Sequence, residues 1–105
     1  MPDDRLLKEK FYECMPLFIA LGDEVRLSII GVLNKGDPEG LNVNEITRQT
    51  SLSRPAISHH LKILKDCGFV EVRRSGTSNY YRLTPKECTR KLMELGYIID
   101  QSYER

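Results

Sequence analysis

The stretch Ser53–Val70, SRPAISHHLKILKDCGFV, decides how the rest of the chain is read. Ser53 is an N-cap by type, because its hydroxyl can accept from the free N–H groups of the next turn. Pro55 falls in that first turn, where a missing N–H is tolerated. Ile57, Leu61 and Leu64 recur at i, i+4 and i+7 and form one apolar stripe. Pro55, Ser58, His59 and Lys62 recur at i, i+3, i+4 and i+7 on the complementary face. That face is short-chained, polar and basic, with no carboxylate before Asp66. Gly68 suits the C′ position, where a left-handed residue closes a helix. A helix buried on one side and carrying donors on the other suits a DNA major groove, whose base edges and phosphates favour such groups.

The flanks extend this reading. Upstream, Asn42 and Glu45 form a capping-box-like pair opening a short helix, NEITRQT, with Ile46 inward. It ends near Thr50, and Ser51-Leu52 connects tightly into Ser53, so two short helices meet across a turn. Downstream, Phe69–Arg73 and Tyr80–Leu83 are β-type runs around a Ser75–Asn79 turn centred on Gly76. Val70 and Val72 alternate with Glu71 and Arg73, as a half-buried hairpin requires. A helix-turn-helix followed by a basic hairpin is a winged helix.

LGDEVRLSIIGVL, LSRPAISHHLKILKDCGFV and RRSGTSNYYRL resemble the corresponding segments of the ArsR/SmtB family of winged-helix transcriptional regulators. The resemblance runs from about Leu17 to Leu83. It departs at Glu24-Val25, where the family often has Pro-Thr, and this bears only on how the second helix begins. The resemblance implies a sequence-specific regulator of double-stranded DNA, most often a repressor, with its recognition helix in the major groove. The expected fold class is mainly α with a small β-hairpin (α+β). One domain covers residues 1–105, with the helix-turn-helix at about 43–67, the wing at about 69–83 and a dimerisation helix at about 84–104.

Composition sets the outer bounds. The chain has 105 residues, 40% apolar and 30% charged, and no apolar run near the roughly 20 residues that span a bilayer. The N-terminal MPDDRLLKEK has acids and no apolar core, unlike a signal peptide. Three cysteines without CxxC spacing point to free thiols in a reducing cytoplasm. A net charge of +1 conceals a segregation: residues 1–50 carry −3, residues 51–82 carry +4, and the remainder is balanced. Positive charge therefore collects on the recognition helix and wing, where phosphate contacts would form. The expected DNA-binding residues are Arg54, Ser58, His59 and Lys62 on the helix, with Arg73, Arg74, Thr77 and Ser78 on the wing. Arg54 could be bidentate to guanine. His60 is expected at the boundary, hydrogen-bonded within its turn.

Leu7, Phe11, Cys14, Phe18 and Leu21 step by 4, 3, 4, 3 along the first helix, a heptad-like seam that asks for a helical partner. Pro16 predicts a kink or restart near Met15. The second helix is expected over Val25–Leu33, with Val25, Ile29, Val32 and Leu33 inward and Arg26 outside or paired. KGDPEG at 35–40 reads as a loop, and Leu41 with Val43 as a short strand beside the wing. The last helix is expected to open with Thr84 as N-cap, Pro85 at N1 and Glu87 at N3. Its stripe of Cys88, Leu92, Leu95, Ile99 and Tyr103 is widened by Met93, Tyr97 and Ile98 beyond what one small domain can cover. The expected interface is Leu7, Phe11, Phe18, Leu92, Leu95, Ile99 and Tyr103, joining a homodimer through its first and last helices. Such a dimer places two recognition helices roughly 34–36 Å apart over an inverted repeat.

Three other chemistries bear on the sequence. Family metal sensors carry paired cysteines before the recognition helix or histidines on the last helix. Leu41–Ile46 has no thiol, the last helix has no His, and His59 and His60 are adjacent, so no metal site is expected. Some family members sense oxidants or reactive sulfur through two thiols, which makes Cys14 and Cys88 the redox candidates. Cys88 lies near Lys86 and Arg90 in a first turn, while Cys14 sits on an apolar face. Cys67 is expected to be structural. No phosphate loop, nucleophile elbow or cofactor motif is present, so no enzyme and no cofactor are expected. A winged helix used as a protein–protein module is the remaining rival, and no residue pattern names a small-molecule effector, an operator or a regulated gene.

Overall fold

A computed structural model of the chain describes residues 4–103. Five helices and one hairpin follow in the order α1 (Asp4–Leu21), α2 (Glu24–Lys35), α3 (Val43–Thr47), α4 (Arg54–Asp66), β1 (Val70–Ser75), β2 (Ser78–Leu83) and α5 (Lys86–Ser102). The fold is α+β, and its expected domain limits at 1–3 and 104–105 lie outside the described residues.

Local chemistry accounts for most boundaries. The Asn42 side chain accepts from Glu45 N–H at 2.8 Å while Glu45 accepts from Asn42 N–H at 3.0 Å, a complete capping box opening α3. Ser53 Oγ accepts from Ala56 N–H at 3.3 Å and caps α4, with Pro55 in the first turn. At the other end Phe69 N–H donates to Leu64 O and Gly68 N–H to Lys65 O, both at 3.0 Å. These are the two bonds of a Schellman motif, and Gly68 occupies its left-handed position with φ +85°. The hairpin pairs Ser75 with Ser78 across Gly76-Thr77. Gly76 has φ +62° and Thr77 has a negative φ, the distribution expected of a II′ turn.

Ile57, Leu61 and Leu64 of α4 are fully buried, together with Ile29, Ile46, Ala20 and Val70. Burial of each such large aliphatic side chain contributes about 1.5–3 kcal/mol. Leu41 joins the sheet as a single bridge to Tyr81, its N–H donating at 2.9 Å and its carbonyl accepting at 2.8 Å. α1 packs along α5 and closes over Cys14, Leu17, Cys88 and Leu95.

Several expectations require correction. α1 runs unbroken through Pro16, which lies on the exposed side of the helix. α2 begins one residue early and ends two residues late, because Asp23 accepts from Val25 and Arg26 N–H and holds the first turn. α3 stops at Thr47, and turns carry the chain from there to Ser53. Val43 begins α3 and is not part of a strand. Thr84 is not the cap of α5: Pro85 holds that position without a side-chain bond. The Thr84 hydroxyl donates to Gly68 O at 3.4 Å and its N–H to Phe69 O at 2.9 Å, so this residue is committed to the hairpin.

Candidate nucleic-acid interface

α4 and the hairpin stand beside each other, and a cleft of about 260 Å³ opens between them. Arg54 and Ser58 form one wall, Thr77, Ser78, Asn79 and Tyr81 another, and Asn42–Asn44 at the start of α3 the third. Four expected residues, Arg54, Ser58, Thr77 and Ser78, are thus brought together, although 19 positions separate Ser58 from Thr77. His59 and Lys62 lie outside the cleft on the same exposed helix. The reason α4 can present this row is that its other side is wholly committed to the core. Asn42, Asn44 and Asn79 were not anticipated. The capping box placed Asn42 locally, but its sequence pattern says nothing about which distant residues it approaches.

The two wing arginines do not act alike. Successive strand residues face opposite sides. Arg74 therefore shares a face with Asn79, its cross-strand partner, and with Tyr81 of the cleft wall. Arg73 is on the other face, 6.0 Å from the Tyr80 ring and with Nη2 3.6 Å from Glu39 Oε2. Neither arginine lines the cleft itself; Arg74 stands on the strand face of Asn79 and Tyr81, and Arg73 on the opposite one.

Charge on this surface is weakly held. Lys62 Nζ is 2.8 Å from Asp66 Oδ2, but both side chains are more than half exposed, and such a pair contributes little. The lysine draws the Asp66 carboxyl below its ordinary range by this hydrogen bond. Among the described residues, no ion pair is formed by Arg54 or Arg74. These guanidinium groups are available to an incoming phosphate or base edge.

Of its two expected placements Arg26 takes the paired one, 8% exposed and bonded inside the protein, and His60 lies at the boundary as expected but with a different partner. Arg26 Nη1 lies 3.1 Å from His60 Nδ1, so His60 is bonded across to α2 and not within its own turn.

Burial disfavours the reactive form of both redox-candidate thiols. Cys14 and Cys88 are buried, and burial pushes both above the ordinary thiol range. Cys14 Sγ donates to Lys91 O at 3.6 Å and Cys88 Sγ to Cys67 O at 3.4 Å. Lys91 lowers the pKa of each, but desolvation is the larger effect. The expectation that Lys86 and Arg90 would activate Cys88 is corrected on this ground. Leu95 is a second correction: at 4% exposure in one chain, it has almost no surface left for an interface. Phe11, Phe18 and Tyr103 are exposed, and Leu7, Leu92 and Ile99 are half-buried. No group of three or more His, Cys, Asp or Glu among the described residues is arranged to hold a metal ion.

The helix-turn-helix, the hairpin at its side and the polar cleft between them define a winged-helix DNA-binding transcriptional regulator. Comparison with known proteins agrees. The family model for bacterial regulatory proteins of the arsR family matches residues 23–72. The HTH-type transcriptional regulator MJ1325 of Methanocaldococcus jannaschii is 38% identical over 73 residues, 70% of this chain and 80% of that one. The transcriptional repressor SdpR of Bacillus subtilis is 36% identical over 67 residues, 64% and 71% of the two chains. The homodimeric winged helix-turn-helix DNA-binding domain Mb0332 of Mycobacterium bovis superposes with a TM-score of 0.64 at 28% identity, over 99% of this chain and 93% of that one. The chain belongs to the ArsR family.

Proposed function

We propose that this regulator is a cytoplasmic homodimeric repressor that binds an inverted repeat in double-stranded DNA. α4 enters the major groove, with Arg54 and Ser58 toward base edges and His59 and Lys62 along the groove wall. Thr77, Ser78 and Arg74 of the wing take the adjoining phosphates, and Arg73 contributes at longer range from the far face. The helix-turn-helix at about 43–67 and the wing at about 69–83 then act as one reading unit, with the helix at about 84–104 joining subunits. The observation that carries this reading is the cleft in which the start of α4 meets the turn of the wing.

The subunit contact is assigned to the exposed apolar side chains of α1 and α5. Tyr12, Met15, Phe18 and Ile19 on α1, with Met93 and Tyr97 on α5, are each at least 40% exposed. Leu7, Phe11, Leu92, Ile99 and Tyr103 extend that surface. An apolar area of this breadth on two adjacent helices is what a second copy would cover. The homodimeric Mb0332 domain and the repressor SdpR support the assembly and the sign of regulation respectively. Burial of both thiols counts against the redox alternative.

The test is selection of bound duplexes from a random-sequence pool, followed by a salt titration. An enriched sequence with two-fold symmetry and a steep log–log fall of affinity with salt is expected. Failure to enrich any sequence would remove the proposal, and a salt-independent affinity would favour the protein–protein module.

A further inference from the structure

Arg26 joins three parts of the molecule through one side chain. Its Nε donates to Ala20 O at 2.7 Å and its Nη2 to Ile19 O at 3.0 Å. Both carbonyls belong to the last turn of α1, which has no basic residue of its own. Helix C-termini leave carbonyls without intrahelical partners and carry a partial negative charge. The guanidinium satisfies both needs from the next helix. Asp23 Oδ2 lies 3.7 Å from Nη2, and Nη1 reaches His60 Nδ1 at 3.1 Å. His60 is on α4, between the exposed His59 and the fully buried Leu61.

A guanidinium has only donors, so the contact with His60 is a hydrogen bond only when Nδ1 carries no proton and accepts. Ile57, Leu61 and Leu64 turn one face of α4 to the core, but apolar contacts are non-directional and set the rotation about the helix axis only coarsely. A directional bond from the flank of that face supplies what packing does not.

We infer that Arg26 and His60 form a positioning clasp that fixes the rotation of the recognition helix relative to α1, with His60 as a neutral acceptor and not a base-reading residue. The inference rests on the proposed binding of DNA by α4. Arg26 holds the end of α1, whose exposed side chains are assigned to the subunit contact, and through His60 it transmits that placement to α4. Without the clasp the helix must be ordered during binding, and preorganisation is lost. The loss falls on the sequence-specific complex, which requires aligned side chains. Nonspecific phosphate contacts tolerate a rotated helix.

The experiment uses the full chain with two probes: a duplex that the wild-type protein enriches from a random pool, and a shuffled duplex of equal length. His60→Ala is expected to weaken binding to the enriched duplex by about tenfold and to the shuffled one by less than about twofold. His60→Asn places an amide oxygen close to the position of Nδ1 and should restore affinity to within about twofold, whereas His60→Gln, whose amide reaches the position of Nε2, should not. The imidazole ¹⁵N spectrum of the wild type should show Nδ1 unprotonated and Nε2 protonated. Unchanged affinity of His60→Ala, an equal loss on both duplexes, rescue by Gln in place of Asn, or a protonated Nδ1 would each overturn the clasp. If His60→Ala does not fold, the Asn and Gln variants and the spectrum decide. A wild type that enriches no duplex removes the DNA reading first, and the ¹⁵N spectrum then reports separately on whether the hydrogen bond exists.

Discussion

On α4 the apolar side chains are hidden, Arg54 is in no ion pair among the described residues, and Lys62 is held only by the exposed Asp66. On the outer surfaces of α1 and α5, by contrast, several charges pair with one another and apolar side chains stand exposed. Ile57, Leu61 and Leu64 have no exposed surface, while Arg54 and Ser58 stand open beside them. Across the molecule, Lys10 Nζ is 3.0 Å from Glu94, and Arg90 pairs with both Glu87 and Glu94. Met93 and Tyr97, interleaved with those residues on α5, remain 69% and 65% exposed. An unpaired cation attracts phosphate over a distance set by the salt concentration. An exposed apolar side chain attracts only a surface that can exclude water from it. The contrast supports the proposed roles, nucleic acid at one face and a second copy at the other, and each can be broken separately.

The largest effect is expected inside α4. Leu61→Ala should cost about 2–5 kcal/mol of stability, because a fully buried leucine leaves a cavity that its neighbours fill only in part. Met93→Ala, on an exposed position, should change monomer stability by less than about 0.5 kcal/mol. Urea denaturation of both variants, at concentrations low enough for the monomer to be the folded species, measures the comparison, and equal losses would mean that the two faces are not disposed as described.

The next effect separates two residues two positions apart on α5. Tyr97→Glu should leave the protomer folded but shift sedimentation at micromolar concentration toward the monomer. Leu95→Glu should unfold the protomer itself, since the charge would have to be buried. If Tyr97→Glu still sedimented as a wild-type dimer, α5 would not carry the subunit contact.

These pairs show what was legible in the sequence. The α4 stripe and its caps depend on neighbours within a few positions, so Ser53, Gly68 and the three buried aliphatics could be read directly. The hairpin was recognisable, but its first strand was begun one residue early at Phe69 and both strands were cut two residues short at the turn, because Arg74, Ser75, Ser78 and Asn79 are polar and lack a strand pattern. Leu95 fell on the same helical stripe as true surface residues. Periodicity says that a face is apolar, not whether α1 of the same chain covers it. The Arg26–His60 bond joins residues 34 positions apart, and nothing in either local pattern points to the other. The asparagines lining the cleft were missed for the same reason.

A smaller effect divides the cations of the reading face. Arg54→Ala should lose about 1–3 kcal/mol of affinity for the enriched duplex, with relaxed discrimination at one position in each half-site. Arg74→Ala should weaken all duplexes alike and reduce the salt slope by about 1 per subunit. Arg73→Ala should reduce it less, because Arg73 lies on the opposite face of the hairpin and close to Glu39. Equal slopes for the Arg73 and Arg74 variants would contradict the assignment of the two hairpin faces.

The smallest effect concerns the thiols, which lie behind the apolar face. Cys14 and Cys88 are buried and donate to backbone carbonyls, which favours the protonated form. Desolvation by burial raises both above their ordinary value of 9.0. A thiol whose folded-state pKa is raised contributes stability below its unfolded value, and this is lost as pH rises through the folded one. Burial therefore disfavours, at both sulfurs, the thiolate that attacks peroxide or a disulfide reagent. Modification of Cys14 and Cys88 by a small disulfide reagent should therefore be slow at pH 7, slower than that of an exposed model thiol, and accelerate as pH rises. Operator affinity of the wild type, Cys14→Ser and Cys88→Ser should be unchanged by brief peroxide treatment at pH 7. Rapid modification of either residue at pH 7, accompanied by release of DNA, would show that the apolar face opens often enough to expose a sensor. The contrast between a reading face and a purely structural face would then have to be abandoned.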